Sequence, residues 1–130
     1  MATIKQIFGS NIVLNVTGLD SLVDAGIAVS DEVDNSVDLD MNVDISVNIN
    51  GSGDTIDMYM TRVNATGDYP STDELANLLF IGSVVVGAST PKKTYRVEQL
   101  PKFYKLVFVN SSGFATTSAV INLMSANLTN

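Results

Sequence analysis

The chain has 130 residues, 45% of them apolar and 16% charged, with a net charge of −7; this suits one globular domain with a single core, not two domains and not a disordered chain. It contains no cysteine, histidine or tryptophan, which removes disulfides, thiolate nucleophiles and zinc ribbons together with the commonest general base and the commonest transition-metal ligand. Fourteen acids against seven bases argue against nucleic-acid contact, because phosphate backbones demand Lys and Arg, and the longest apolar stretch, residues 78–88, is broken by Gly82, Ser83 and Gly87 far short of the about 20 residues of a membrane span.

In chain order, residues 4–8 and 11–16 read as two short strands that could pair through Gly9-Ser10. The start carries a lone lysine followed by polar residues where the apolar core of an export signal would stand, so the chain reads as made in the cytoplasm of its host and not exported. Residues 19–28 fit either a short helix or a loop leading into a strand. The first 35 residues also leave open a segment used for docking onto a partner.

The clearest element is residues 36–50. Val37, Leu39, Met41, Val43, Ile45, Val47 and Ile49 alternate without a miss with Asp, Asn and Ser. Period two of this quality means a strand with one buried and one wet face. At full length it would reach roughly 46 Å, so a bulge or bend is expected. Asn50-Gly51-Ser52-Gly53-Asp54 supplies turn chemistry, and Ile56, Met58 and Met60 continue the alternation, predicting a long hairpin. Residues 64–74 read as a surface loop, 75–80 as one helical turn and 81–86 as a buried strand. A linker at 88–93 leads to a short strand at 94–97. Residues 103–110, apolar on both faces, form a central strand; Asn110-Ser111-Ser112-Gly113 makes a second tight turn, and residues 114–123 return from it. About eight strands at hairpin spacing predict an all-β antiparallel sandwich, of jelly-roll type.

Charge is unevenly placed. Residues 1–60 hold ten acids and one base, whereas five of the six bases in the second half fall between positions 92 and 105. Either the basic segment lies beside the acidic strand in one sheet, with cross-strand pairs worth a few tenths of a kcal/mol each, or the acidic face of one subunit meets the basic segment of a neighbour and sets register in an assembly. The second possibility makes Asp38, Asp40, Asp44, Lys92, Lys93, Arg96, Lys102 and Lys105 the candidate assembly contacts.

No arrangement points to catalysis or to a cofactor. Asp38-x-Asp40-x-Asn42-x-Asp44 resembles the opening of a calcium loop, but Val43 stands where that loop needs glycine and Ile49 where it needs glutamate. On a strand its carboxylates are also spaced at roughly 6.6 Å. A solvated strand face accounts for them; Asp31, Glu32 and Asp34 would have to add ligands for a cation to be held. Five Asn-x-Ser/Thr triplets begin at Asn15, Asn50, Asn64, Asn110 and Asn127; without an export signal they read as turn and strand-face residues.

Tyr95-Arg96-Val97-Glu98-Gln99-Leu100-Pro101 runs into Tyr104-Lys105-Leu106-Val107-Phe108-Val109-Asn110-Ser111-Ser112-Gly113, downstream of Ile81-Gly82-Ser83. Over residues 54–123 this pattern resembles the small structural proteins of tailed-bacteriophage virions. The resemblance implies a jelly-roll-like, non-enzymatic head decoration (cement) protein, or another small head, connector or tail component. Its partners would be copies of itself and a major capsid protein, its place the virion, with no cofactor, nucleic acid or membrane. The alternative is a β-sandwich module that binds a glycan or cell-surface receptor, for which Tyr69, in its loop, is the aromatic residue to watch.

Overall fold

The computed structural model describes residues 5–34, 40–49, 52–63, 78–87, 93–97, 100 and 103–129. Within them run nine strands: β1 (Lys5–Leu14), β2 (Ile27–Val29), β3 (Val33–Asp34), β4 (Asp40–Ile49), β5 (Ser52–Val63), β6 (Leu79–Gly87), β7 (Lys93–Val97), β8 (Phe103–Ser111) and β9 (Thr116–Thr129), with one 3₁₀ turn at Leu19–Ser21. They form a sandwich of two antiparallel layers. One has the order β1-β9-β4-β7; the other is β6-β5-β8, with β2 and β3 both on the far edge of β8. A single parallel bridge, Asn48 to Gly87, joins the layers at one margin.

Alternation along β4 buries Met41, Val43, Ile45, Val47 and Ile49, as its pattern requires, and β5 answers from the other layer with Ile56, Met58 and Met60. Tyr104, Leu106 and Phe108 of β8 and Ile121 and Leu123 of β9 complete the core.

Both expected hairpins are corrected. β4 and β5 do not pair: β4 lies between β9 and β7, and β5 between β6 and β8. Likewise β8 and β9 lie in opposite layers. Consecutive strands β4 and β5, and β8 and β9, therefore face each other across the core through their apolar sides and not through their backbones. Gly9-Ser10 makes no turn either. It is a bulge within a single strand, β1, which pairs with β9 from Lys5↔Thr129 to Leu14↔Ile121 and shifts register between Phe8 and Asn11. The irregularity expected in the long strand occurs opposite its end, where the β4–β9 register slips between Asn48 and Ile49. Residues 19–28 combine both expectations, a 3₁₀ turn followed by β2. Leu79 and Phe80, expected in a helical turn, open β6; residues 64–77 and 88–92 lie outside the described residues.

Two buried polar side chains hold the crossing from β1 to β2. Asn110 Nδ2 donates to the carbonyls of Leu22 (3.0 Å), Val23 (3.2 Å) and Phe114 (2.7 Å), while its Oδ1 accepts from Ser112 N (3.1 Å) and Oγ (2.6 Å). Thr116 Oγ1 donates to Leu19 O (2.5 Å) and accepts from Leu22 N (2.7 Å). A segment with little regular structure thus gains side-chain partners for its backbone groups beside the main-chain bonds from Thr116 and Asn110.

Candidate functional site

The expected charged contacts are distributed by strand register over different surfaces. Antiparallel β4–β7 pairing sets Asn42 opposite Arg96 and Asp44 opposite Thr94, so the basic segment does lie beside the acidic strand in one sheet. Thr94 Oγ1 donates to Asp44 Oδ1 at 2.5 Å. Lys93 is exposed at the edge, its Nζ 5.0 Å from the centroid of the Tyr95 ring. Lys105 lies on β8, in the other layer, opposite Thr61 of β5. Asp40 opens β4 opposite Ala126; Asp38, Lys92 and Lys102 lie outside the described residues. Asp31 accepts from Asn15 Nδ2 at 3.3 Å, and among the described residues no three carboxylates converge on a point that could hold a metal ion.

A different group assembles on the outer face of β5, β6 and β8. The alternation that turns Ile56, Met58 and Met60 inward turns Thr55, Asp57 and Tyr59 outward. Register sets Asp57 between Ser83 of β6 and Val109 of β8, and Thr55 opposite Ser111. Three hydroxyls converge on the Asp57 carboxylate: Ser83 Oγ at 2.6 Å and Thr55 Oγ1 at 3.2 Å on Oδ1, and Ser111 Oγ at 3.3 Å on Oδ2. Next along β5, Tyr59 meets Phe80 edge-to-face, ring centroids 5.3 Å apart and planes at 62°. Phe80 is 53% exposed and its neighbour Leu79 42%.

A bulge creates this aromatic pair. Met58 pairs with Gly82 but Tyr59 pairs with Phe80, so Ile81 is an extra residue on β6. Uninterrupted alternation from outward Ser83 would put residue 81 outward and residue 80 in the core. The inserted residue reverses that parity and brings Phe80 out beside Tyr59. Sequence reading missed the site for this reason. The signals were present: Asp57 and Tyr59 stand at wet positions of the alternation, and Phe80-Ile81-Gly82 breaks period two. Tyr69, singled out in its loop, lies outside the described residues.

A second surface feature lies at the opposite layer. A cavity of about 440 Å³ is lined by residues of the 13–20 segment and by Ala119, Val120 and Ile121. Val13 at its rim is 69% exposed and Val120 48%.

No protein-family model matches this chain, and no curated protein does. Among solved structures it is similar to the carbohydrate-binding module CBM35 from Paenibacillus barcinonensis, at 12% identity over 94% of this chain and 99% of the other with a TM-score of 0.47. The xylan-binding domain CBM22-1 of Xyn10C from the same organism has 9% identity over 96% and 85%, also at 0.47. The enzymatically active domain of tailspike protein 4 of bacteriophage CBA120 has 14% identity over 98% of this chain and 19% of that one, at 0.46. At these identities and scores the likenesses carry no argument about binding; the sandwich is established by its own strand pairing.

Proposed function

We propose that this chain is a non-catalytic β-sandwich module that binds a glycan on the outer face of β5, β6 and β8. The supporting observation is the pair of exposed Phe80 and half-buried Tyr59 set beside the polar group centred on Asp57. Sugars present an apolar face and a polar edge. An aromatic ring offers the first a stacking surface, and hydroxyl and carboxylate groups offer the second hydrogen-bonding partners. The two halves are two residues apart on one strand, about 7 Å, a separation that one pyranose ring spans. The site lies on packed strands, so little ordering is lost on binding.

Affinity electrophoresis through gels containing a panel of neutral and charged polysaccharides tests this. The parent protein is expected to be retarded by at least one of them, and Phe80→Ala to lose about tenfold in affinity while melting close to the parent, since an exposed side chain contributes little to stability. Retardation by none of the panel, or a Phe80→Ala variant that binds as the parent does, overturns the reading.

A second reading, assembly as a small structural protein of a phage particle, is supported by the β1 edge. β1 is the outermost strand of its layer, and Ile12 (50% exposed), Val13 and Val120 leave apolar surface beside it. Unpaired strand edges of this kind add further strands. In this reading Asp38, Asp40, Asp44, Lys92, Lys93, Arg96, Lys102 and Lys105 make contacts between copies or with a capsid lattice. Light scattering should then give a closed oligomer, which charge reversal at Lys92, Lys93 and Lys102 weakens more at low salt than at high salt. Equal assembly by variant and parent at low salt overturns the charged contacts, and a monomer at all concentrations that also fails to bind assembled capsids overturns the reading.

A further inference from the structure

The hydrogen-bond directions around Asp57 narrow the ligand class, an inference that rests on the glycan reading above. An ionised carboxylate only accepts hydrogen bonds. The hydroxyls of Thr55, Ser83 and Ser111 therefore each donate their single proton to Asp57 and keep only lone pairs for anything that arrives. The polar half of the site presents acceptors alone. Among the described residues, those that register places around Asp57, which are Thr55, Tyr59, Ser83, Val109 and Ser111, bring no other charge; Lys105 stands further along β8, opposite Thr61. The apolar half has the same sign of preference, because the faces of Phe80 and Tyr59 are the negative regions of their rings. The chain as a whole is at −7.

We propose that the sugar taken at this site carries a protonated amine, as a deacetylated hexosamine does. An ammonium group donates three hydrogen bonds and accepts none, which complements an acceptor-only patch, and its charge is attracted both by the carboxylate and by the aromatic faces. A neutral sugar hydroxyl can donate there, but for its own lone pairs it finds no donor among Asp57 and its three hydroxyls, only the Tyr59 hydroxyl beyond them. A uronic acid meets like charge.

The test is calorimetric titration of the intact protein at about pH 5.5, where the sugar amine is charged. The probes are glucosamine oligomers, N-acetylglucosamine oligomers of the same length, galacturonic acid oligomers and a short oligolysine. Glucosamine oligomers are expected to bind about tenfold more tightly than their acetylated counterparts, with that preference shrinking several-fold at about 1 M salt and galacturonate weakest. Asp57→Asn should remove the preference while retaining the acetylated oligomer. Asp20→Asn, which removes the same charge from the 3₁₀ turn, should leave the preference in place, excluding bulk attraction to an acidic protein. Phe80→Leu, which keeps the apolar contact without the π face, gives a second route and should reduce it. Equal affinity for the two hexosamine series, or an Asp57→Asn variant that keeps the preference, overturns this inference and leaves glycan binding standing. Oligolysine binding as tightly as glucosamine oligomers overturns it in favour of a cationic peptide. Binding of no oligosaccharide of the set overturns it, and the glycan reading falls with it only where the polysaccharide panel also gives no retardation.

Discussion

Replacing Asn110 with alanine is expected to lower stability by about 3 kcal/mol, a fall of about 10 °C in melting temperature for a domain of this size. The Asn110 side chain is fully buried and serves five partners: the carbonyls of Leu22, Val23 and Phe114, and the backbone N–H and hydroxyl of Ser112. None of these belongs to a strand ladder, and each carbonyl has one other donor: Thr116 N on Leu22, Gly26 N on Val23 and Ser112 Oγ on Phe114. Removing the amide strips a second bond from each of three carbonyls and leaves Ser112 N without its acceptor; those losses, with the space left by a fully buried side chain, cost the stability. The main chain of Asn110 also bonds both Ala25 N and Gly26 O. The arch from β8 to β9 and the crossing from β1 to β2 therefore loosen together. Asn110→Asp should be no better, since it keeps Oδ1 but replaces the donor with an acceptor facing three carbonyls. Urea denaturation should show the midpoint falling at nearly constant slope. A loss below about 1 kcal/mol would mean that water satisfies the abandoned groups.

Gly82→Ala is expected to cost about 2 kcal/mol although it adds one methyl group. A Cβ built at Gly82 would lie 2.5 Å from Cε1, 2.7 Å from Cζ and 2.9 Å from Oη of Tyr95. Tyr95 reaches from β7, at the edge of one layer, across to β6, at the edge of the other, where its hydroxyl donates to the carbonyl of Ser83. The ring closes the sandwich along that margin, and the absent side chain at position 82 is the space that it occupies. To admit a methyl group the ring must swing away, surrendering that hydrogen bond and its contact with Lys93. The partner in this cost is identifiable: in a double-mutant cycle, Gly82→Ala in a Tyr95→Ala background should be close to neutral, with a coupling of about 1–2 kcal/mol. Additive losses would place the strain in the β6 backbone and not against the ring. Because Gly82 immediately follows the bulge that exposes Phe80, the same variant should also weaken glycan binding by altering the support beneath the aromatic pair.

Much of the architecture was legible in the residues. Alternation in β4 and β5 determined which side chains enter the core, and the spacing of turn residues indicated an all-β sandwich with strands close to where they occur. Asn110 and Gly113 were legible as turn residues, but the burial of the Asn110 amide was not, because that depends on Leu22, Val23 and Phe114 arriving from elsewhere. The charge asymmetry was also legible, and β7 lies against β4, but register sets Arg96 opposite Asn42 and Lys93 opposite Ile45, while Asp44 meets the Thr94 hydroxyl. Lys105, grouped with the other bases by position, belongs to the opposite layer.

What the sequence by itself determined is the inward and outward assignment of each regular strand, since period two is a property of one strand's own backbone. What only the tertiary structure decided is pairing and parity at irregular points. A glycine-rich turn between two alternating strands serves equally for a hairpin and for an arch, because both bury the same apolar faces, and only competition among all nine strands selects the arch. A one-residue bulge such as Ile81 reverses every side chain beyond it, and its position is set by the register of β6 on β5. The candidate site depends on both: Asp57, Ser83 and Ser111 come from three strands that only the pairing brings together, and Phe80 faces solvent because one extra residue separates it from Gly82.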